Sequence, residues 1–300
     1  AVLLRPTSDR RFLQRHLPVV EVRTGSICDV ESLKSALTGI THVIHCAGCT
    51  KAARNAEFYE VNQVGTRNVV AAVNSRGGQI QRLLHISSLA VTGPATPAKP
   101  AREEDPAAPV SEYGKSKLAG ELEVREHCRV PWTVLRPPAV YGPRDNGFFP
   151  MFQAVHRHIL PRPSATQYLS VVYGPDLAEA ASICLDHARA ENSTYFVASA
   201  EIITGRQMAG EIADRMQHWT VPCPLPPALL WPVCLGQEMY SRLTGKAMLL
   251  NRQKYAELRA PGWVCDPAKL KRETGLECRT TLKEGVAAAL EWYTQNGWLR

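Results

Sequence analysis

Three hundred residues, 45% of them hydrophobic, suffice for one or two globular domains with an ample core. The formal charge is +7, yet Arg10-Arg11 and residues 269–272 are too short and mixed to track nucleic acid, which leaves a solvated basic surface and an anionic cofactor as its use. The longest apolar stretch, residues 226–236, is too short to span a bilayer, and nine scattered cysteines with one isolated C-x-x-C at Cys46 and Cys49 suit half-buried, reduced thiols in a cytoplasmic protein and no metal site.

Short apolar runs rich in β-branched residues predict strands at 19–23, 41–46, 82–87 and 132–136. Helical stretches at 29–37, 57–75 and 111–126 alternate with them. That alternation predicts an α/β fold, a doubly wound parallel sheet whose ligands bind beyond the carboxyl ends of the strands. Asp29, Cys46, Ser88 and Pro137 all fall at such ends, which predicts one shared site. Residues 92–109 are rich in Pro and Ala, with Glu103-Glu104-Asp105 inside, and read either as a substrate flap or as a solvated connection.

After Gly142 the texture changes. Helices are predicted at 148–158, 176–188, 204–218 and 281–296, with short strands near 170–173 and 194–198. Thr281-Leu282-Lys283-Glu284 is a capping box for the last helix. The division expected is a cofactor-binding domain over 1–142 and a smaller, mainly helical substrate domain over 143–300. His156 and His158 are two apart and would face different sides of a helix, so they do not read as a metal pair. Residues 224–233 would suit an apolar substrate cover, a membrane-surface contact or ordinary helix packing.

The chemistry lies in Ser111-Glu112-Tyr113-Gly114-Lys115-Ser116-Lys117. Tyr113 and Lys117 are four apart and share a helix face. A free tyrosine titrates near ~10, and a neighbouring ammonium favours its phenolate. Such a phenol exchanges a proton with a substrate oxygen while hydride moves at the adjacent carbon. Ser88, at the end of Leu83-Leu84-His85-Ile86-Ser87-Ser88, is placed to hold that oxygen.

These motifs resemble the extended branch of the short-chain dehydrogenases/reductases, the NAD-dependent epimerase/dehydratase family, almost from end to end. The resemblance implies a Rossmann-type fold with a small C-terminal α/β substrate domain, an NADP or NAD cofactor and catalytic roles for Ser88, Tyr113 and Lys117. Val61-Asn62-Gln63-Val64-Gly65-Thr66 is similar to the family's N-x-x-G-T helix, which implies that Asn62 supports the active site. Cys46, Ala47 and Gly48 end a strand that resembles the one passing the adenosine. Pro137, Ala139 and Val140 resemble the segment against the nicotinamide, and Lys117 would also anchor the ribose. Val172-Tyr173-Gly174-Pro175-Asp176-Leu177-Ala178 is similar to the V-D-D-[LV]-A element, in which Asp176 is expected to cap a helix.

Two departures stand out. The chain opens at Ala1-Val2-Leu3-Leu4-Arg5-Pro6, which resembles the family's second strand, and no G-x-x-G-x-x-G turn occurs. In a 3-2-1-4-5-6 sheet the first strand is central. The sequence therefore reads as a fragment lacking roughly 25–30 residues, the length of a strand–turn–helix, with a break expected between the strand ending at Arg5 and the one ending at Cys46. The second departure is Ser26 where the family has an adenine-binding Asp; Ser26 and Ile27 are the expected adenine contacts.

Arg5 ends the second strand, where an acid would bind the ribose 2′-hydroxyl of NAD and an Arg accommodates the 2′-phosphate of NADP. Leu169 stands where nucleotide-sugar enzymes carry a diphosphate-gripping Arg, and Leu89-Ala90 follows Ser88 where sugar dehydratases have Asp-Glu. The pattern more closely resembles the 3β-hydroxysteroid dehydrogenase and dihydroflavonol reductase-like members. The implied activity is an NAD(P)-dependent oxidoreductase acting on a secondary alcohol or ketone of a small, largely apolar molecule, in a possible homodimer. A nucleotide-sugar epimerase/dehydratase and a non-catalytic cofactor-sensing protein are the alternatives.

Overall fold

The computed structural model describes residues 1–163, 166–225, 227–245 and 252–299. The first half alternates as expected. Strand β1 (Val2–Leu4) is followed by β2 (Val22–Thr24) and helix α1 (Val30–Ala36). Then come β3 (His42–His45), α2 (Asn55–Tyr59), a π-helical turn (Glu60–Val64) and α3 (Gly65–Asn74). Next are β4 (Arg82–Ile86), α4 (Glu112–His127), β5 (Trp132–Arg136) and β6 (Ala139–Tyr141). The second half runs α5 (Phe149–His156), β7 (Ile159–Pro163), β8 (Tyr168–Tyr173), α6 (Gly174–Asp186), β9 (Ser193–Phe196), β10 (Ile202–Thr204) and α7 (Gly205–Met216). It ends with β11 (Val221–Leu225), α8 (Pro227–Thr244), α9 (Arg252–Arg259), β12 (Gly262–Trp263), α10 (Ala268–Thr274) and α11 (Leu282–Gln295).

The main sheet has the parallel order β3-β4-β5-β9, so a strand from the second half closes it. β1 and β2 pair in parallel as a separate two-stranded sheet. Among the described residues no ladder joins β1 to β3, which is the break expected there. Ile44 on β3 is accordingly 45% exposed. The predicted strand at 19–23 begins late, at Val22, and Val19 is exposed.

Each face of the main sheet carries a core. Leu83 and Val134 pack beneath Leu33 of α1, Val69 and Val73 of α3 and Val124 of α4. Leu84 and Leu135 face the other way, toward Ala180 and Cys184 of α6. A further core centres on Phe152, Ile212 and Tyr293, which joins α5, α7 and α11. β8 lies between β10 and β12, with β6 also pairing to it, so the first half hands its chain to the second sheet at Ala139.

Local signals explain most helix starts. The Asp29 carboxylate accepts from the Glu31 and Ser32 amides, and Ser111 Oγ accepts from Gly114 N at 3.2 Å. The Thr281 capping box forms as expected. Asp176 does not cap α6. Gly174 and Pro175 precede it in the helix, so it lies inside the first turn and its carboxylate instead accepts from Thr280 N and Oγ1, at 3.1 and 2.7 Å. The loop over 92–109 is strapped down. Ala95 N and Ala101 N donate to Gly262 and Val264, and Glu103 accepts from Phe196 N. Residues 97–99 and 104–108 are its exposed runs. Of residues 224–233, Pro226 and the side chains of 225–230 lie outside the described set; Trp231 and Val233 are exposed, against the expectation of ordinary packing.

Gly120 lets α4 touch the π turn: a Cβ there would fall against the Asn62 carbonyl oxygen, far inside contact distance. Gly210, inside α7, has open space where its Cβ would stand. Gly120→Ala should therefore cost about 1–3 kcal/mol by overpacking, while Gly210→Ala should gain about 0.5–1 kcal/mol from helix propensity. Urea unfolding of both variants checks the opposite signs.

Candidate active site

The carboxyl ends of β3, β4 and β5 and the N-terminal half of α4 converge. The Ser88 backbone is extended, and its Oγ accepts from Ala90 N at 3.1 Å, starting a 3₁₀ turn over Leu89–Val91. The Leu89 amide donates to the Pro137 carbonyl at 2.9 Å, and Ser87 N donates to Leu135 O, so the Ser88 segment is fixed to the end of β5. Tyr113 lies in the first turn of α4, half-buried, with Phe58 packed edge-on at 6.2 Å. The Ser88 hydroxyl lies close enough to favour its phenolate. Gly114 allows this approach, since a Cβ there would meet the Ala90 carbonyl oxygen at 2.6 Å.

Lys117 follows one turn later, buried, and its Nζ donates to Ile86 O at 2.6 Å. Burial pushes the ammonium down to about 8, against an upward pull from Glu121. Burial also pushes the Tyr113 phenol up; the neighbouring Ser88 hydroxyl opposes this, and Glu257 and Cys49 add to it. The tyrosine therefore rests as a neutral phenol. The expected lowering by Lys117 is not what sets it here, because burial outweighs the other influences.

Asn62 is buried within the π turn, a feature common at functional sites. Its Oδ1 accepts from Cys49 N at 2.7 Å, and its Nδ2 donates to Cys49 O and Ser116 Oγ, both at 2.9 Å. Ser116 Oγ in turn donates to Tyr113 O at 2.8 Å. Asn62 thus ties the loop after β3 to the helix bearing the tyrosine and lysine. Thr66 donates to Asn62 O at 2.7 Å and contacts His45 Nε2 at 2.9 Å. Burial, assisted by the Lys117 charge, pushes His45 down to about 3 and lowers its neighbour His85 as well, so both stay neutral behind the lysine.

The other predicted contacts lie at strand ends. Cys46, Ala47 and Gly48 are exposed after β3, whereas Cys46 was expected half-buried; Cys49 is the half-buried thiol. A Cβ on Gly48 would lie 3.3 Å from Asn62 Oδ1 and 3.8 Å from Lys117 Nζ, so the glycine leaves that corner open. Pro137 is buried, Ala139 half-buried and Val140 exposed on β6. Ser26 Oγ accepts from Cys28 N at 3.2 Å, closing the turn before α1. Ile27 packs on Gly65, and its carbonyl accepts from Asn68. Arg5 is exposed at the end of β1, while Arg11 is paired with Asp9. Leu169 of β8 packs against the second-half core.

Sequence reading missed two contributors. Glu121 is buried one turn beyond Lys117 and pairs with Arg136 through Nε at 3.0 Å and Nη2 at 2.6 Å, while Ser87 Oγ donates to it at 2.9 Å. A helical Glu reads as a surface charge; only the i, i+4 step from Lys117 hinted otherwise. Glu257 of α9 acts electrostatically on Tyr113 from 144 residues away, a proximity no local signal carries.

Beyond the geometry, the sequence profile of the NAD dependent epimerase/dehydratase family matches residues 2–198. The chain belongs to this family. It is 28% identical to ceramide reductase of Caulobacter vibrioides over 291 residues, 93% of this chain and 82% of that protein. It is 29% identical to UDP-glucose 4-epimerase of Vibrio cholerae over 229 residues, 72% of this chain and 67% of that one. The crystal structure of gox2253 superposes with a TM-score of 0.81 at 24% identity, covering 99% of this chain and 91% of the other, which establishes the shared Rossmann-like fold. The family is NAD-dependent, and the residues present fit the nicotinamide half of such a cofactor. The Lys117 ammonium has donors beyond the one given to Ile86, and the Gly48 corner beside it is open. A glycine turn for the pyrophosphate is not in the 300 residues.

The depressed Lys117 has a direct signature. Its folded value of about 8 lies below the unfolded value near ~10.4. Between the two, the unfolded chain holds more protons, so this group makes unfolding free energy rise with pH. From about pH 7 to about pH 9.5, the parent should gain stability relative to Lys117→Met. Urea midpoints of both proteins at the two pH values measure the difference.

Proposed function

We propose that this protein is an NAD(P)-dependent oxidoreductase that interconverts a secondary alcohol and its ketone in a small, largely apolar substrate. The observation that carries the reading is the convergence of Ser88, Tyr113 and buried Lys117 at the carboxyl ends of β4 and β5, with the Lys117 ammonium held by Ile86 O. A bound nicotinamide supplies or takes the hydride at the substrate carbon. Ser88 Oγ holds the substrate oxygen. Tyr113 gives its phenolic proton to that oxygen in reduction, and its phenolate takes the proton in oxidation. Lys117 holds the ribose hydroxyls and favours the phenolate once the proton has left. Asn62 fixes Cys49 and Ser116 and so aligns the loop with the catalytic helix. The cofactor half is residues 1–142 and the substrate half 143–300, with β9 crossing back.

An apolar substrate is supported by Leu169 in the core where a diphosphate-gripping Arg would be needed, and by the similarity to ceramide reductase. The similarity to UDP-glucose 4-epimerase supports the nucleotide-sugar reading as the second choice. A cofactor sensor has no need of a hydroxyl relay, so the Ser88–Tyr113 pair counts against that role.

Tyr113→Phe should leave the fold and cofactor binding in place and cut turnover by about 10²–10⁴, the range for a lost general acid–base. The assay is oxidation of reduced nicotinamide with a panel of lipophilic ketones. Unchanged turnover removes Tyr113 from the chemistry, and micromolar binding with turnover of UDP-glucose restores the epimerase.

Exposed Arg5, with no acid beside it in the sequence, favours NADP through its 2′-phosphate. Arg5→Asp replaces attraction with repulsion and should weaken NADP binding more than NAD binding by calorimetric titration. Equal parental affinities, unmoved by the change, would refute the preference.

A further inference from the structure

Over residues 231–241, helix α8 is turned inside out. Its outward residues are Trp231, Val233, Leu235, Met239 and Tyr240, with Met239 63% and Tyr240 47% exposed. Its inward residues are Cys234, Gln237, Glu238 and Ser241, buried or half-buried, with Gln237 and Glu238 engaged in polar interactions. At 100° per residue, the exposed set with Pro232 and Gly236 spans roughly half the circumference. None of these seven carries a charge. A helix facing water shows the opposite arrangement.

We propose that α8 is a membrane-docking helix that lies in the headgroup region of an anionic lipid bilayer. Two observations favour a bilayer. First, the exposed face places Trp231 and Tyr240 among aliphatic residues, and such amphipathic rings settle at a lipid–water boundary. Second, the chain carries +7, and from 242 to 259 the sequence has Arg242, Lys246, Arg252, Lys254 and Arg259 against one acid, Glu257. That charge complements anionic lipid.

The placement brings the surface to the site. The Trp231 ring packs on Tyr255 of α9 at 4.9 Å, and Glu257 of the same helix acts on the Tyr113 phenol. A bilayer against α8 is thus one helix from the proposed acid. The docking itself stands on α8 and does not depend on the reaction proposed above.

The test is co-sedimentation of the 300-residue chain with vesicles of phosphatidylcholine alone and of phosphatidylcholine mixed with phosphatidylglycerol. The parent should bind the mixed vesicles more tightly, and added salt should weaken that binding. Leu235→Gln with Met239→Gln leaves the charge unchanged and should weaken binding at least about tenfold, since each exposed side chain loses its burial in lipid. Circular dichroism melts show whether the double variant is folded. Should it not fold, quenching by brominated lipid in the parent but not in Trp231→Phe gives the same answer. Sedimentation with neither vesicle, or undiminished binding of the folded variant, overturns the proposal. So does a dimer that the double variant dissociates while the parent ignores vesicles, since a second copy would then be the occupant.

Discussion

The buried pair of Glu121 and Arg136 governs the geometry of everything around it. It joins the middle of α4 to the last residue of β5, and Ser87 Oγ joins β4 to the same carboxylate. Two strands and a helix are therefore referenced to one group. Ser88 follows Ser87, Pro137 follows Arg136, and Lys117 sits one turn before Glu121. The pair is bidentate, and such forks fix orientation as well as distance. Two ions out of water give little net stability, yet removing one leaves the other stranded at a cost of about 3–5 kcal/mol. Arg136 Nη1 has no partner among the described residues, so the cation is already incompletely satisfied. The pair is better understood as a specification of alignment than as a source of stability.

The electrostatics of the site follow from that burial. Glu121 is the negative charge that keeps Lys117 from falling further below about 8, while desolvation pulls it down. Behind the lysine, the rings of His45 and His85 stand 5.1 Å apart, both neutral. Charging either would set cation against cation in a dry interior. The site thus holds one positive charge at a fixed place, and a tyrosine that burial keeps protonated.

Much of this was readable beforehand because the signals were local. Short apolar runs and helical stretches alternate through the first half, and Tyr113, Lys117 and Ser88 announce themselves by spacing and strand-end context. Asp29, Ser111 and Thr281 cap helices because a side chain needs to reach only its own backbone. What stayed illegible was long-range. β9 joins β5 across 56 residues of intervening chain, from 137 to 192, and nothing in its composition says which sheet it enters. Asp176 looked like a cap because its bonding to Thr280, 104 residues on, has no sequence trace. Glu121 looked solvated because burial of a charge depends on a partner found elsewhere in the chain. The lack of a ladder between β1 and β3 agrees with the expected strand order, in which these two strands are not neighbours.

The π turn at Glu60–Val64 carries a different kind of information. Such a turn accommodates one residue more than the regular helix around it. Asn62 faces Cys49 and Ser116 because of that surplus, as much as because of its own amide. Removing one residue from the turn would let it close as a regular helix in phase with the segments on either side, and the wide turn that presents Asn62 would be lost. The position of Asn62 is thus written in the length of the segment. Substitution scanning, which preserves length, would register only the amide. The dependence on length would surface in single-residue deletions, where even a neighbour that makes no contact with the site becomes indispensable.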